Sequence, residues 1–441
     1  MNAVIVRVGY GARNSAAPIA SALKRSRVGA RVYLVEEDPL SLARRLASKG
    51  MKVVVLYSLS TPLFLEVAEE VARVSREFPV GAGGPHATGA YWQLLRLGVR
   101  AAVAGDGEPA APLLVEALLG ERELGEVPNI AFMEGRRFRV TRRVYASLDD
   151  YDPHSPELGL YPPIEIMRGC TDRCTFCEVP YHWGGGARFR SVESVARAVR
   201  DYVAAGRRDI RFVAPVGFAY MSKDLRTPNV DAIEKLLLAV RREGGKPYLG
   251  TFPSETRPEL VTEDVLRVVA RLAYNRRIAM GLQSGSERML RLVRRGHGVE
   301  EVLEASRLAL KYGFTPVVDI IFGLPGEMEE DVRATIMVME ELASMGARLR
   351  LHTFIPLPGT PLARSPPGRV HPLYEKAVLR LLGKGVIEGY WREQVELARK
   401  VYCLTALDPL PTPEPRPLEP MVSCSDVWRR FSKLLQIPLE A

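Results

Sequence analysis

Cysteine, asparagine and glutamine are all scarce: the 441 residues hold five Cys, five Asn and four Gln. So few cysteines exclude a small fold stapled by disulfides. The shortage of side-chain amides, beside abundant Arg, Glu and Val, is the composition expected of a thermophilic source. No uninterrupted run of 18 apolar residues occurs, so no membrane-spanning helix is expected. The opening MNAVIVRVGYGARNSAAP runs straight into a strand-like stretch and lacks the pattern of a signal peptide. A cytoplasmic protein is the expectation. In that compartment structural disulfides are disfavoured, and clustered cysteines point to metal or redox chemistry. The net charge is +9, yet no block of five or more like charges appears. The basic balance therefore reads as dispersed surface arginine, and a nucleic-acid partner is not indicated.

What is present is a double alternation of strand and helix patterns. The length suits two or three domains, and 47% hydrophobic residues suffice for real cores. In residues 1–120, NAVIVRVGY, ARVYLVE, KVVVLYSLS, PVGAGG and RAAVAGDG read as buried strands, with amphipathic helices such as PLFLEVAEEVARVSREF between them. Strands separated by helices predict a doubly wound parallel sheet of Rossmann type. Gly83, Gly84, Gly105 and Gly107 fall just after strand ends. Both a ligand edge and ordinary tight turns suit that spacing. Residues 121–160 form a connector, with a hairpin turning at Glu134–Gly135 and a proline-rich stretch YDPHSPELGLYPP. Residues 161–360 repeat strand and helix at most six times, which predicts a partial (β/α)6 barrel. Residues 361–441 are a helical extension. A proline-rich spacer, DPLPTPEPRPLEP, runs through it to a short amphipathic helix, SDVWRRFSKLLQ. Docking of that helix on the barrel is the expectation.

Three of the five cysteines lie within eight residues, in RGCTDRCTFCEVP: Cys170, Cys174 and Cys177. A structural zinc site takes four ligands, often from paired C-x2-C knuckles, and no second pair exists here. A [4Fe–4S] cluster also ordinarily takes four thiolates. Three thiolates leave one iron open for a substrate or cofactor. A zinc site completed by His182 or His154 is the other arrangement the residues allow.

With its C-x3-C-x2-C loop after the first strand of a six-unit partial barrel, the chain resembles the radical S-adenosylmethionine superfamily over about residues 160–360. The resemblance implies that Cys170, Cys174 and Cys177 hold a [4Fe–4S] cluster as the catalytic and metal-binding set. It also implies that S-adenosylmethionine binds the open iron and is cleaved to methionine and a 5′-deoxyadenosyl radical. Phe176 matches the aromatic position near the adenine. Gln283 and Ser284 in GLQSGSERMLRLVRRGH match contacts to the ribose or methionine part, and Arg295 an arginine facing the methionine carboxylate. Asp319 in VVDIIFGLPGE matches a ribose contact, and Glu255 in TFPSETRP lies at the end of strand three. The Gly-Gly-Glu stretch usual after strand two reads VAPVGFAY here, where Gly217 stands in for part of it. A low-potential donor of the flavodoxin or ferredoxin type is implied as a partner.

The N-terminal sheet resembles the cobalamin-binding (B12-binding) domain that often precedes such barrels, through LYSLST, VGAGGPHATG and VAGDGEPA in order. Ser58, Ser60, Gly83 and Gly84 would then border a corrinoid. The cobalt-ligating histidine of that family is missing after strand one, where the chain reads GYGARNSAAP, and His86 is expected in a turn at the site's edge. Methylthiotransferases carry three further cysteines ahead of the barrel, whereas residues 1–169 contain none. The expected function is cobalamin-dependent methylation of an unreactive carbon. The alternative is a cobalamin-independent rearrangement, cyclisation or oxidation by hydrogen abstraction. The substrate is not legible.

Overall fold

The structure, a computed structural model, describes residues 2–8, 13–26, 28–184, 186–407 and 422–436. The proline-rich spacer expected at 408–420 and part of the loop after strand one lie outside these residues. The chain forms two compact units. One comprises the residues up to Pro162 together with the C-terminal segment from Ser423, and the other chiefly Pro163–Ala406.

The first unit contains β1 (Asn2–Arg7), α1 (Arg13–Arg25), β2 (Ala30–Val35), α2 (Leu40–Ala47), β3 (Lys52–Ser58), α3 (Thr61–Glu77), β4 (Val80–Gly83), α4 (Pro85–Arg96), β5 (Ala101–Val103), α5 (Ala111–Leu118), β6 (Ile130–Glu134) and β7 (Arg137–Val140). The strands order as β2-β1-β3-β4-β5-β6-β7. Strands β1 to β5 pair in parallel, and β6 and β7 add antiparallel. The apolar, β-branched centres of β1 and β3 are buried because helices cover the sheet. Val4, Val6, Val54 and Leu56 pack with Ala16, Ala17 and Leu23 of α1 and with Val115 of α5. The hairpin of the expected connector thus belongs to the sheet, turning at Gly135 with φ +61°.

The second unit contains β8 (Ile164–Glu165), β9 (Met167–Arg168), α6 (Val179–His182), β10 (Arg188–Phe189), α7 (Val192–Ala204), β11 (Asp209–Val213), α8 (Val230–Arg242), β12 (Lys246–Tyr248), α9 (Glu263–Leu272), β13 (Arg277–Gln283), α10 (Glu287–Leu292), α11 (Val299–Lys311), β14 (Thr315–Phe322), α12 (Glu329–Met345), β15 (Arg348–Thr353), α13 (Pro372–Leu382), β16 (Ile387–Glu388) and α14 (Trp391–Thr405). Parallel strands run β8-β11-β12 and β13-β14-β15-β16. A single parallel bridge, Thr256 to Met280, joins the end of the first group to the second. Among the described residues the barrel-type alternation has seven parallel strands, one more than the six expected. The extra one, β16, is two residues long and sits between α13 and α14, inside a tail read from sequence as helical only. Two residues are too few to display a period of two.

The last helix, α15 (Ser425–Leu435), belongs to the first unit, not to the barrel. Its Phe431 lies 6.0 Å from Phe64 of α3, and Arg430 pairs with Glu69. The amphipathic pattern specifies a buried face, Val427, Phe431 and Leu435, but carries no information about which apolar surface receives it. No helix among the described residues is long and apolar enough to cross a membrane.

Candidate functional site

The cysteine loop follows β9 at the carboxyl end of the first barrel strand pair. Gly169, which precedes it, has φ +86°, and a Cβ there would lie 2.1 Å from the carbonyl oxygen of Gly186. Only glycine fits that backbone. Gly169→Ala is expected to cost about 1–3 kcal/mol and to displace the loop. Thermal unfolding and the iron retained after reconstitution would show it, while Gly159→Ala, with φ +66° and open space around it, should cost less and leave iron uptake intact.

Cys170 and Cys174 are buried, Cys177 is half-buried, and all three are free thiols. Burial pushes the Cys170 thiol up to about 11 and the Cys177 thiol up to about 12. Left to itself each stays protonated, whereas bound metal deprotonates a coordinating thiol outright. No group of three or more His, Cys, Asp or Glu side chains among the described residues converges as a single metal ion would require. His182, the histidine nearest the loop in sequence, has its Nε2 3.0 Å from the Pro358 carbonyl oxygen. Three free thiols on one loop fit an iron–sulfur cluster that keeps one iron open. Cys403 and Cys424 are outside this set and are not free thiols.

The loop is tied down on two sides. The Thr175 amide donates to the Val293 carbonyl at 3.0 Å. Phe176 packs against the cluster of Met289, Val293, Leu324 and Phe354. Arg295 directs one nitrogen to Cys174 Sγ at 3.6 Å and another to the Gly281 carbonyl at 3.0 Å, while its buried Nε has no partner. In this structure Arg295 thus faces a thiol.

Gln283 ends β13 with φ +78°, beside a register shift between Gly281 and Gln283. A Cβ on Gly281 would meet the Gln283 amide at 2.1 Å. Holding a non-glycine residue at that φ costs energy. Ser284, the other residue expected to contact the ligand, lies inside the fold. It is 0% exposed, and its hydroxyl lies 3.2 Å from Thr335 Oγ1 on α12. The rest of the GLQSGS stretch is structural too: Gly285 abuts the Thr335 backbone, and Ser286 caps α10 and donates to Asp331 at 2.5 Å. Gly217 is demanded by a close approach. A Cβ would lie 2.3 Å from the Ser254 carbonyl oxygen, and its amide already donates to the Glu255 carbonyl at 2.6 Å.

Asp319 and Arg350 are register partners on β14 and β15. Alternate residues Val318, Ile320 and Phe322 are buried against the helix layer, so Asp319 points to the opposite face. There it pairs with Arg350, whose guanidinium also donates to Glu255 at 3.0 Å. His352 Nε2 lies 3.5 Å from the Asp319 carboxylate. Burial alone would raise the Asp319 pKa, but Arg350 and His352 outweigh it and hold the carboxyl below its ordinary range. Gln394 of α14 orients the imidazole. Its Oε1 accepts from the Thr353 amide at 2.9 Å, so its amide nitrogen faces His352 Nδ1 at 3.4 Å.

Sequence reading missed Arg350, His352 and Gln394, and also Asp172, Arg226, Arg257, Glu259 and His297 behind the cysteine loop. The signal for the first two was a strand, RLRLHT, with Arg, Arg and His on one face.

In the first unit, Ser58 and Gly83 are register partners at the carboxyl ends of β3 and β4. Ser58 Oγ lies 2.6 Å from Ser15 Oγ. Ser60 caps α3, accepting from the Leu63 amide. Gly84 has φ +96°, and a Cβ there would meet the Leu59 backbone at 2.7 Å. His86 is a core residue of α4 rather than a turn residue, stacked on Phe64 at 3.9 Å.

Residues 164–339 match the radical SAM superfamily, and residues 3–115 match the B12 binding domain. An uncharacterised protein of Methanopyrus kandleri is 26% identical over 341 residues, covering 65% of this chain and 62% of the relative. A tRNA-2-methylthio-N(6)-dimethylallyladenosine synthase of Fusobacterium nucleatum is 33% identical over 242 residues, covering 52% and 53%. The chain spans only about half to three fifths of the length of these relatives. Among solved structures, the radical S-adenosylmethionine methyltransferase TsrM of Kitasatospora setae, with cobalamin and a [4Fe–4S] cluster bound, aligns with a TM-score of 0.67 at 17% identity, covering 83% of this chain and 75% of that one. The cobalamin-dependent radical enzyme OxsB with aqua-cobalamin aligns at 0.62 and 15%, covering 88% and 58%. At such identities the likeness establishes the fold.

Proposed function

This chain carries a B12-binding domain and a radical SAM domain, and from that premise we propose that it is a cobalamin-dependent radical enzyme that methylates an unreactive carbon. The observation that carries the reading is the set of three free thiols, and no fourth, on one loop at a strand carboxyl end. A bound cluster supplies the electron that cleaves S-adenosylmethionine, and a bound corrinoid supplies a relay for the methyl group. The chain's own residues do the rest. Cys170, Cys174 and Cys177 hold the cluster, and Phe176 offers an aromatic surface beside it. Gln283, strained into the site, and the Glu255–Arg350–Asp319 set present polar groups to S-adenosylmethionine or substrate. Ser58, Ser60, Gly83 and Gly84 line the edge where a corrinoid would lie, and no histidine among them reaches for its cobalt. Electrons come from a flavodoxin- or ferredoxin-type donor.

The test is an anaerobic corrinoid titration of the reconstituted protein, with removal of unbound hydroxocobalamin and a visible spectrum of what stays. Stoichiometric retention, followed by S-adenosylhomocysteine and 5′-deoxyadenosine production with substrate, is the expected result. No retention by cluster-loaded protein would sink the methylase reading and leave hydrogen abstraction alone.

A further inference from the structure

Behind the cysteine loop lies an ion network that none of the roles above uses. Asp172, between Cys170 and Cys174, is buried. One carboxylate oxygen takes Arg226 and the other takes Arg257, and the Cys170 thiol points to the second at 3.6 Å. Arg257 is 2% exposed. Its Nε donates to Glu259 at 2.6 Å, and its remaining nitrogen donates to the Arg295 carbonyl at 3.1 Å. One planar fork thus ties the cysteine loop to the loops after β12 and α10. Arg226 also donates to Glu259, at 2.9 Å. His297 is buried beside Glu259, with Nδ1 3.5 Å from the carboxylate, and burial lowers its pKa, so it adds no charge near neutral pH.

The charges do not balance. Arg226, Arg257 and Arg295 carry three positive charges against two on Asp172 and Glu259, so one positive charge is left over. It is left on the side of the thiols, because Arg295 touches Cys174. The Arg226 side chain is 43% exposed and partly screened by solvent, against 3% for Arg257, which makes Arg257 the main buried counter-charge to Asp172.

We propose that Arg257 is a positioning residue for the cysteine loop and that it cancels the negative charge Asp172 brings beside the sulfurs, so that an electron added to the loop's cluster meets a net positive surround. Asp172 acts as the handle by which Arg257 holds the loop. Its charge, uncancelled, would oppose both thiolate formation and one-electron reduction. This rests on the reading that the three cysteines hold an iron–sulfur cluster.

The experiment is an anaerobic redox titration of the reconstituted full chain with a low-potential one-electron reductant, read by electron paramagnetic resonance, for wild type, Asp172→Asn, Arg257→Met and the double variant. Asp172→Asn should shift the midpoint potential upward and Arg257→Met downward. Each shift should be about tenfold in electron affinity, or ~59 mV for a one-electron couple, and the double variant should return toward wild type. Arg257→Met should also lose iron faster to a chelator. A purely structural role would alter iron loss without opposite potential shifts. Wild-type potentials in both single variants would overturn the proposal. Should Arg257→Met not fold, the isosteric Asp172→Asn decides alone. Wild-type protein that takes up no cluster would instead sink the underlying reading.

Discussion

Alanine at any one of Cys170, Cys174 or Cys177 is expected to abolish reductive cleavage of S-adenosylmethionine while leaving the fold in place. The three thiols are the chain's free cysteines, since Cys403 and Cys424 are not free. Losing one of three ligands therefore removes a third of the ligation. The stability effect should be small by comparison. A buried thiol behaves as a small hydrophobe, and its removal leaves a cavity worth about 1 kcal/mol. The measurement pairs 5′-deoxyadenosine formation under dithionite with iron content and the unfolding midpoint. Activity at the detection limit, iron well below the wild type and an unfolding midpoint within a few degrees is the expected triplet. Residual activity near the wild-type level in any single variant would show that the loop is not the cluster site.

The cysteine loop was legible because its chemistry is written locally, in eight residues whose spacing alone narrows the donor set. Asp319 was legible for a related reason, since an acid inside an apolar strand needs a partner somewhere. Which partner was not legible, because Arg350 is set opposite Asp319 by register, and register between two strands separated by a 17-residue helix is a tertiary outcome. Ser284 shows a placement the sequence did not display. It sits at a strand end beside Gln283 and carries a hydroxyl, yet the chain turns it toward Thr335, 51 residues later. Gln283, at φ +78° beside a register shift, breaks the strand's alternation, so the side on which Ser284 falls is not written in the sequence pattern. The Arg257 network was invisible for a further reason: it joins residues from 172, 226, 257, 259, 295 and 297, and charged residues on loops read as solvated until the loops are seen to converge.

Replacing Arg350 by methionine is expected to destabilise the protein at neutral pH and to reverse the pH dependence of this site. The Arg350, Asp319 and Glu255 side chains are 20%, 15% and 27% exposed. Removing one partner of a buried ion pair costs about 3–5 kcal/mol, and partial solvation should bring the loss here to about 2–3 kcal/mol. In the wild type Asp319 is held below its ordinary range by Arg350 and His352 against the cost of burial. Its stabilising contribution is therefore complete above the unfolded carboxyl value of about 3.9 and is lost as pH falls through the folded value. Without Arg350 the burial cost dominates, the folded pKa rises above the unfolded one, and protonation relieves the variant on acidification. The deficit of Arg350→Met against wild type should accordingly shrink between pH 7.5 and pH 4.5 in urea unfolding. The double variant Arg350→Met with Asp319→Asn should recover much of the loss at pH 7.5, because it leaves no uncompensated charge beyond Glu255. A deficit that stayed constant with pH would mean that Arg350 acts through packing, for instance over the Phe252 ring 5.9 Å away. In that case the carboxylates of Glu255 and Asp319 would stand free of it, open to ligand without a built-in counter-ion.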